Sequence, residues 1–348
     1  MIGLFKTAVG PGNMELRKTE TPQISASEVL IQVKAAGICG SDLHIYNWDT
    51  NVPMNPPMIV GHEFSGVITE LGANVEGWSE GERVTVEPTY SVCGVCQYCQ
   101  AGFYNLCHQR RILGFWTNGA FAEYIRVPAE RLHRLPETVS FKEGAMTEPL
   151  ACCVHALLEL TVIQPAELVV ITGPGTIGLL ALQVVRLCGA EAIIVGTGAD
   201  GERLQVAEAL GAMRTIIAEQ EDPVQAILDI TDGFGADAVV ECSGAAPAAN
   251  SAVQMVRKRG RYTQMGLYGK PISFDLEKVA LKELQVTGSF AQKWSAWKRA
   301  LSLTGKNMID LKSLITDKLP LDRWEQAFSK LNEKKGIKII LDPQGPAS

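Results

Sequence analysis

Four cysteines in one short segment most constrain what this chain can fold into. Cys93, Cys96 and Cys99 recur at every third residue, and Cys107 follows eight residues after the last of them. Four thiolates at this spacing can converge on one tetrahedral Zn²⁺ ion, at about 2.3 Å each. Disulfides or buried small hydrophobic residues are the alternatives, but disulfides need an oxidising compartment, and the residues between these cysteines are too polar to fill a core. The segment therefore predicts a closed structural zinc site.

Length and charge exclude several classes of protein. The chain has 348 residues, 46% of them hydrophobic, which favours two folded domains over one. Its net charge is −6 and it has no Lys/Arg cluster, so we expect no binding to nucleic acid or to a membrane surface. Glycines interrupt the uncharged run at 168–185, which therefore predicts no membrane span.

The start of the chain and its cysteines bear on location. The first ten residues have no long apolar segment, which predicts no secretory signal and a cytoplasmic protein. Nine cysteines kept as thiols agree with that location. Five of them are assigned to metal sites, and the other four are assigned to packing: Cys152, Cys153, Cys188 and Cys242.

The hydrophobic pattern changes near residue 150. Up to that point, short β-type runs such as 29–33, 82–86 and 122–127 alternate with turns rich in glycine and proline. From Glu167 onward, strands and helices alternate, which predicts a doubly wound parallel sheet with strands at 168–172, 192–195, 214–217, 236–241, 261–265 and 284–287. Helices are expected between these strands, at 177–188, 202–210, 223–230 and 248–256. The tail predicts two amphipathic helices, 294–303 and 321–331, and a closing strand at 337–341.

The first turn of the α/β region carries a glycine fingerprint. Gly173-Pro174-Gly175-Thr-Ile177-Gly178 lies directly after an apolar strand and opens a helix. The glycines allow the tight turn, the approach of a pyrophosphate and close helix packing, and the helix N-terminus supplies amide groups for the phosphates. In this context the motif predicts dinucleotide binding, whereas a bare glycine pattern would be weak evidence.

The sequence leaves two types of dinucleotide open, NAD and NADP. The second strand of this region ends at Val195-Gly196-Thr197-Gly198, with no carboxylate at its tip to hold the adenosine ribose diol. Asp200 can serve if the loop curls back, whereas Arg203 can instead meet a 2′-phosphate. The expectation is NAD, with NADP as the alternative.

A second metal site is predicted from dispersed residues. Cys39, His62 with the adjacent Glu63, and Glu148 together offer a thiolate, an imidazole and a carboxylate. Three such ligands leave one tetrahedral position open for water or substrate, as in a catalytic zinc site. Each residue alone is weak evidence, because a lone histidine or cysteine is more often a core residue.

These motifs together resemble the zinc-dependent medium-chain alcohol dehydrogenases, and within them the sorbitol (L-iditol) and related polyol dehydrogenases. The segment Gly61-His62-Glu63-x-x-Gly66-x5-Gly72-x-x-Val75 matches the zinc signature of that family, and the four-cysteine segment and the fingerprint follow in order. The resemblance covers the chain from end to end. It implies a GroES-like β-barrel catalytic domain at 1–150 plus 290–348, a Rossmann domain at 151–289, and an active site in the cleft between them.

The resemblance also implies roles for individual residues. Cys39, His62 and Glu148 would ligate a catalytic zinc, with Glu63 as a supporting or exchanging carboxylate, so either glutamate is a candidate third ligand. Ser41 and His44 match the family's proton relay, although either can also be an ordinary structural residue. The positions that match cofactor contacts are those of the fingerprint (Gly173, Pro174, Gly175, Ile177, Gly178), the strand tip and following helix (Gly198, Arg203), and the loop beside the nicotinamide (Met265, Gly266, Leu267). Phe115 is a candidate for the pocket wall.

The implied activity is oxidation of a secondary alcohol of a polyol to a ketone, with hydride transfer to NAD(P) and two zinc ions per chain. Gly288-Ser-Phe290-Ala291-Gln292 departs from the polyol enzymes, which carry an Arg-Tyr pair after this Gly-x-Phe, so polyol length and stereochemistry do not carry over. A threonine 3-dehydrogenase or an NADP-dependent alcohol dehydrogenase is the alternative, and a non-catalytic NAD(P)H-binding redox sensor is a distant one. A homotetramer is expected, with a homodimer as the alternative.

Overall fold

The computed structural model describes residues 1–50 and 52–345, and the structural statements below refer to them. The strands are β1 (Ile2–Lys6), β2 (Met14–Lys18), β3 (Glu28–Gly37), β4 (Met58–Ile59), β5 (Glu63–Leu71), β6 (Arg83–Val86), β7 (Thr89–Ser91), β8 (Arg111–Ile112), β9 (Tyr124–Pro128), β10 (Leu132–Arg134), β11 (Leu168–Thr172), β12 (Glu191–Gly196), β13 (Arg214–Ile217), β14 (Ala236–Glu241), β15 (Val256–Gln264), β16 (Gln285–Gly288), β17 (Ile315–Pro320) and β18 (Lys338–Asp342).

The helices are α1 (Gly40–Asn47), α2 (Gln97–Gln100), α3 (Phe141–Ala145), α4 (Thr147–Val154), α5 (Thr176–Leu187), α6 (Gly201–Ala209), α7 (Pro223–Ile230), α8 (Ala246–Met255), α9 (Glu277–Leu281), α10 (Trp294–Gly305) and α11 (Trp324–Asn332). A π-helical segment, His155–Leu160, continues α4. No helix among the described residues has the length and apolar character needed to cross a bilayer.

The chain divides into two compact units. Unit 1 comprises Met1–Glu148, Gln292–Lys306 and Ile315–Ser348, and unit 2 comprises Pro149–Ala291 and Asn307–Leu314. The chain therefore leaves unit 1 twice, first for the α/β region and then for the short segment Asn307–Leu314, and it returns for α10 and then for β17, α11 and β18.

Unit 1 is built mainly from antiparallel β-structure. Its largest sheet has the order β10-β6-β5-β3-β18-β17, with β9 also paired to β3. Along β3 the apolar residues Val29, Ile31 and Val33 occupy every second position and lie in the core, whereas the polar residues that follow Ile31 and Val33 are only half-buried. Alternation with a period of two places one face of the strand inward, which is why this segment pairs in a single register. The core is completed by Trp324 and Phe328 of α11.

The strand register of unit 1 positions the candidate site. Gly37, the last residue of β3, pairs with Glu63, the first residue of β5, and also with Ile340 of β18. Cys39 comes two residues after the end of β3, and His62 immediately precedes β5. Three strands that are distant in sequence therefore bring these residues to one end of the sheet.

Unit 2 is a doubly wound α/β domain. Its parallel sheet has the order β13-β12-β11-β14-β15-β16, which is the arrangement 3-2-1-4-5-6 of the Rossmann fold. β11 is buried almost throughout, as expected for the central strand of a sheet covered on both faces. The predicted fold class, a GroES-like β-domain with a Rossmann domain, is confirmed.

Most predicted elements occur within a few residues of their expected bounds. β11 and β14 have the same bounds as the predicted strands. The two predicted amphipathic tail helices correspond to α10 and α11. β17 was not predicted, because its sequence Ile-Thr-Asp-Lys-Leu-Pro is polar in the middle. It forms by pairing in parallel with β18, so tertiary pairing decides its conformation.

Candidate metal and cofactor sites

The four predicted structural ligands converge in unit 1. The Sγ atoms of Cys96 and Cys99 lie 3.5 Å apart, those of Cys93 and Cys107 3.6 Å, and those of Cys93 and Cys99 3.9 Å. A regular tetrahedron with Zn–S distances of about 2.3 Å has S···S edges of about 3.8 Å. All four are free thiols, and their separations are far longer than a disulfide bond of about 2.05 Å. The geometry therefore fits a four-thiolate zinc site.

The backbone of this lobe, residues 93–107, favours negative charge at one sulfur. Amide groups of Val95 and Cys96 lower the pKa of Cys93 to about 6. Burial and the neighbouring thiols raise the pKa of Cys99 to about 12. Four thiolates so close together repel one another, and a divalent cation between them would remove that repulsion. The lobe is thus suited to a cation and poorly suited to four free thiolates.

A second group of metal-ligand types forms where β3 and β5 end. One ligand atom from each of Cys39, His62 and Glu63 lies within 4.8 Å of the other two, and both His62 and Glu63 are buried. Cys39 precedes α1 as its N-cap residue, and its amide donates to Asp42 Oδ2 at 2.9 Å. Gly61 has a φ of +90°, and an added Cβ there would lie 2.3 Å from the ring of Phe121, so only glycine can lead the chain into His62 here.

Buried carboxylates surround this group. Asp42 Oδ1 lies 3.7 Å from His62 Nδ1, and burial alone would lower the pKa of His62, but the charge of Asp42 holds it well above its ordinary value. Glu63 Oε2 accepts a hydrogen bond from Lys338 Nζ at 2.6 Å. Glu63 Oε1 is buried and has no hydrogen-bond partner among the described residues. Since buried polar atoms are nearly always satisfied, this oxygen fits the role of a ligand to a cation.

Glu148 lies outside the mutual 4.8 Å group. It lies in the first turn of α4, and its Oε1 accepts a hydrogen bond from Gln292 Nε2 at 2.7 Å. Burial raises the pKa of Glu148, while the charge of His62 acts in the opposite direction. Glu148 is therefore a buried carboxylate that lies outside the 4.8 Å group, although its charge interacts with that of His62.

The predicted relay residues lie on α1. Ser41 and His44 are three positions apart, which places them on neighbouring positions of one helix face. His44 Nδ1 pairs with Asp49 Oδ1 at 2.8 Å, and the His44 side chain is 38% exposed. Ser41 is half-buried. Phe115 is buried, and its ring centroid lies 5.5 Å from that of His62.

The fingerprint of unit 2 has the expected strand, turn and helix. β11 ends at Thr172, Gly173 has a φ of +90°, and α5 begins after Gly175. A Cβ on Gly178 would lie 2.0 Å from the carbonyl oxygen of Gly173, whereas one on Gly175 would meet nothing within 4 Å. The third glycine thus allows close packing, and the second borders open space, as a pyrophosphate cradle requires. Of the other two predicted residues in the turn, Pro174 is buried and Ile177 is half-buried.

The remaining cofactor candidates of unit 2 lie beyond strands β12 and β15. Gly198 is exposed, and Arg203 is largely buried with its Nη1 3.3 Å from Asp200 Oδ1. Met265 and Gly266 donate their amides to the carbonyl oxygen of Glu241 at 2.9 and 2.8 Å. Leu267 follows them and is 58% exposed.

Three residues near the second metal group were not predicted from sequence: Asp42, Lys338 and Gln292. A signal existed for Asp42, an acid three residues after Cys39 and within the same short motif. A signal also existed for Lys338, a lone cation in an otherwise apolar run of the chain. Nothing in the local sequence of Gln292 indicated its contact with Glu148.

Two family models match the chain. A model described as the alcohol dehydrogenase GroES-like domain matches residues 25–137, and one described as zinc-binding dehydrogenase matches residues 176–306. These ranges fall mainly in unit 1 and unit 2 respectively.

Relatives of known name and a solved structure match over nearly the whole chain. A sorbitol dehydrogenase of Halalkalibacterium halodurans is 43% identical over 99% of both chains. A D-arabitol-phosphate dehydrogenase of Enterococcus avium is 39% identical over 98% of this chain and 97% of that protein. An L-threonine 3-dehydrogenase of Bacillus subtilis is 38% identical over 94% of both.

The solved structure is that of a Sinorhizobium meliloti protein described as a zinc-binding dehydrogenase and bound to NADP. It superposes with a TM-score of 0.91 at 32% identity, covering 98% of this chain and 99% of that one. One of the two family descriptions names zinc binding, and the solved structure contains bound NADP. The chain therefore belongs to the zinc-binding, medium-chain alcohol dehydrogenase family and is an oxidoreductase.

Proposed function

We propose that this dehydrogenase oxidises a secondary alcohol of a polyol or sugar alcohol to a ketone and transfers the hydride to NAD. The observation that carries the proposal is the group formed by Cys39 and the buried His62 and Glu63, because it combines a thiol, an imidazole and an unpaired carboxylate oxygen. Relatives named for sorbitol and for arabitol phosphate, at 43% and 39% identity, support a polyhydroxylated substrate.

Cys39, His62 and one glutamate would hold the catalytic zinc. The 4.8 Å grouping supports Glu63 as the third ligand, and the resemblance to polyol dehydrogenases supports Glu148. A zinc ion bound there would supply a Lewis acid that favours loss of a proton from the substrate hydroxyl. Asp42, whose Oδ1 faces His62 Nδ1, would fix the orientation of the His62 ring, as carboxylates do for metal-binding histidines. A second zinc in the lobe, held by Cys93, Cys96, Cys99 and Cys107, would be structural.

Ser41 and His44 would carry the proton toward solvent. Their spacing on α1 places both on one helix face, and the partly exposed His44 can exchange protons with water. Asp49 fixes the His44 ring through Nδ1, which leaves Nε2 to take part in the relay. The Gly173–Gly178 turn would hold the pyrophosphate of the cofactor, and the loop at Met265, Gly266 and Leu267 would lie beside the nicotinamide.

The proposal also includes the domain bounds, the oligomeric state and the location of the protein. The catalytic domain would span 1–150 plus 290–348, with 151–289 as the cofactor domain. A homotetramer, or alternatively a homodimer, is supported by the edge strand β16, on which Val286 is 50% exposed. A cytoplasmic location is supported by the nine cysteines, all described and all free thiols.

L-Threonine is the second candidate substrate, because a threonine 3-dehydrogenase is 38% identical over 94% of the chain. A panel of sorbitol, L-iditol, arabitol phosphate and L-threonine, each with NAD and with NADP, separates the two. Reduced nicotinamide is followed by its absorbance. We expect turnover with a polyol or its phosphate and NAD, and turnover with L-threonine alone would replace the proposal by the second candidate.

Two cysteine variants, one in the proposed zinc site and one outside it, test the catalytic assignment in this assay. Cys39→Ala is expected to abolish turnover while the circular dichroism spectrum stays unchanged, whereas Cys152→Ala, outside both metal groups, should leave turnover near that of the parent. Full activity of Cys39→Ala would refute the catalytic assignment. One zinc per chain with no turnover on any substrate would instead favour a non-catalytic NAD(P)H sensor.

A further inference from the structure

In a Rossmann domain, the charged groups near the end of the second strand, which is β12 here, set the preference for NAD or NADP. The adenosine ribose lies beside the end of the second strand, where a carboxylate binds the 2′,3′-diol of NAD and a cation accommodates the 2′-phosphate of NADP. In this chain β12 ends at Gly196, and Thr197 and Gly198 follow, so the strand itself supplies neither group. Any selecting charge must come from elsewhere in unit 2.

Asp200 and Arg203 form an ion pair with each other, so the charge of each is already balanced by the other. Asp200 is only 4% exposed. Its Oδ2 accepts from the Thr197 amide at 3.0 Å and from Thr197 Oγ1 at 2.6 Å, while its Oδ1 faces Arg203 at 3.3 Å. This carboxylate therefore caps its own turn, and it neutralises the cation that would otherwise attract a phosphate.

Glu219 reaches the tip from the neighbouring strand. β13 pairs in parallel with β12, with Ile217 opposite Gly196, so the turn after β13 emerges beside Gly198. Glu219 lies in that turn and is exposed, and its Oε2 accepts the Gly198 amide at 2.9 Å. The Gly198 amide is a backbone donor just beyond the end of β12, from which a phosphate oxygen placed there would have to accept. The carboxylate already occupies it.

We propose that Glu219 selects NAD over NADP in this enzyme. The inference rests on the proposed function and names the residue that sets its cofactor preference. A 2′-phosphate at the β12 tip would have to approach the Glu219 carboxylate and compete with it for the Gly198 amide, and both effects disfavour NADP. A ribose diol instead donates hydrogen bonds to the same carboxylate. Selection thus comes from the turn after β13 and not from the end of β12.

The test is a titration of the purified, zinc-loaded enzyme with NADH and with NADPH, followed by nucleotide fluorescence. The parent should bind NADH more tightly. Glu219→Gln keeps an oxygen that can accept the Gly198 amide but removes the charge, and we expect it to narrow the NADH preference by about tenfold. Raising the salt concentration should also reduce the preference of the parent more than that of the variant, because an exposed charge is screened.

Glu221→Gln is the matched control. Glu221 lies in the same turn, but its carboxylate pairs with Arg214 Nη2 at 2.6 Å and not with Gly198, so its removal should leave the preference within twofold. If Glu219→Gln weakens both nucleotides equally, or if the parent prefers NADPH, the inference is wrong and Glu219 only supports the turn. If the parent binds neither nucleotide, the proposed function itself fails, and the inference fails with it.

Discussion

The buried ion pair between Lys338 and Glu63 allows a quantitative test of how the second metal group is built. The Lys338 side chain is 2% exposed and that of Glu63 1%, with Nζ 2.6 Å from Oε2. Nζ also donates to the Ile38 carbonyl oxygen at 2.8 Å. Burial alone would lower the pKa of Lys338, but the Glu63 carboxylate raises it above its ordinary value, so the ammonium keeps its charge. The cation therefore compensates a carboxylate that has no contact with water.

Lys338→Met replaces the cation with an apolar side chain of similar length. The substitution leaves the Glu63 carboxylate buried and uncompensated, which costs about 3–5 kcal/mol in comparable pairs. Zinc at the site would restore a positive charge beside Glu63. We therefore expect the full cost in zinc-free protein and a clearly smaller one in zinc-loaded protein.

Urea unfolding measured by tryptophan fluorescence is the assay. All six tryptophans, Trp48, Trp78, Trp116, Trp294, Trp297 and Trp324, belong to unit 1, so the signal reports the unit that contains the pair. Parent and variant are compared with and without zinc, and the midpoint and slope give the difference in the free energy of unfolding.

Lys318→Met is the control, because it breaks an ion pair that is equally short but more exposed. Lys318 Nζ lies 2.6 Å from Asp342 Oδ2, and the Lys318 side chain is 42% exposed. Such surface pairs contribute about 0–1 kcal/mol. The double variant Lys338→Met with Glu63→Gln should recover most of the loss, since no buried charge remains. If Lys338→Met costs no more than Lys318→Met in zinc-free protein, the reasoning about burial is refuted.

Three further predictions concern other parts of the fold. Gly175→Ala should fold normally but lower the affinity for NADH by about tenfold or more, because its Cβ enters the open space at the turn. Gly178→Ala should instead lower the free energy of unfolding by more than about 2 kcal/mol, because its Cβ would clash with the carbonyl oxygen of Gly173. Titration with NADH and thermal melts distinguish the two effects. Cys99→Ser should lose one zinc per chain and make the lobe sensitive to protease; retention of both ions, by metal analysis, would contradict a four-thiolate site. Glu241→Ala should speed amide exchange at Ser243, whose amide donates to the Glu241 carboxylate at 2.8 Å; unchanged exchange would show that other contacts order this loop.

Local sequence was sufficient where a feature is built within one short segment. The four cysteines lie within residues 93–107, and short turns within that segment bring neighbouring sulfurs to 3.5–3.9 Å from one another. The glycine fingerprint is equally local, because strand, turn and helix follow one another in the chain. Alternating strands and helices likewise predicted a parallel sheet, since only one connection hand and few strand orders are common.

Sequence was insufficient where partners come from distant segments. Asp200 lay at the expected separation from the fingerprint, but the structure uses it to cap Thr197, while Glu219 reaches Gly198 through the pairing of β12 with β13. Lys338 reads as an isolated charge in an apolar strand, and only the pairing of β3 with both β18 and β5 reveals its carboxylate partner Glu63.

The chain by itself thus determined the folding class, the zinc lobe and the phosphate turn, because each depends on residues adjacent in sequence and on backbone chemistry that acts over a few bonds. Tertiary structure alone decided which partner each of three carboxylates meets: Glu63 with Lys338, Glu148 with Gln292, and Glu219 with the Gly198 amide. The physical reason is that hydrogen bonds and ion pairs act over a few ångströms in space, and strand pairing brings together residues that are far apart along the chain.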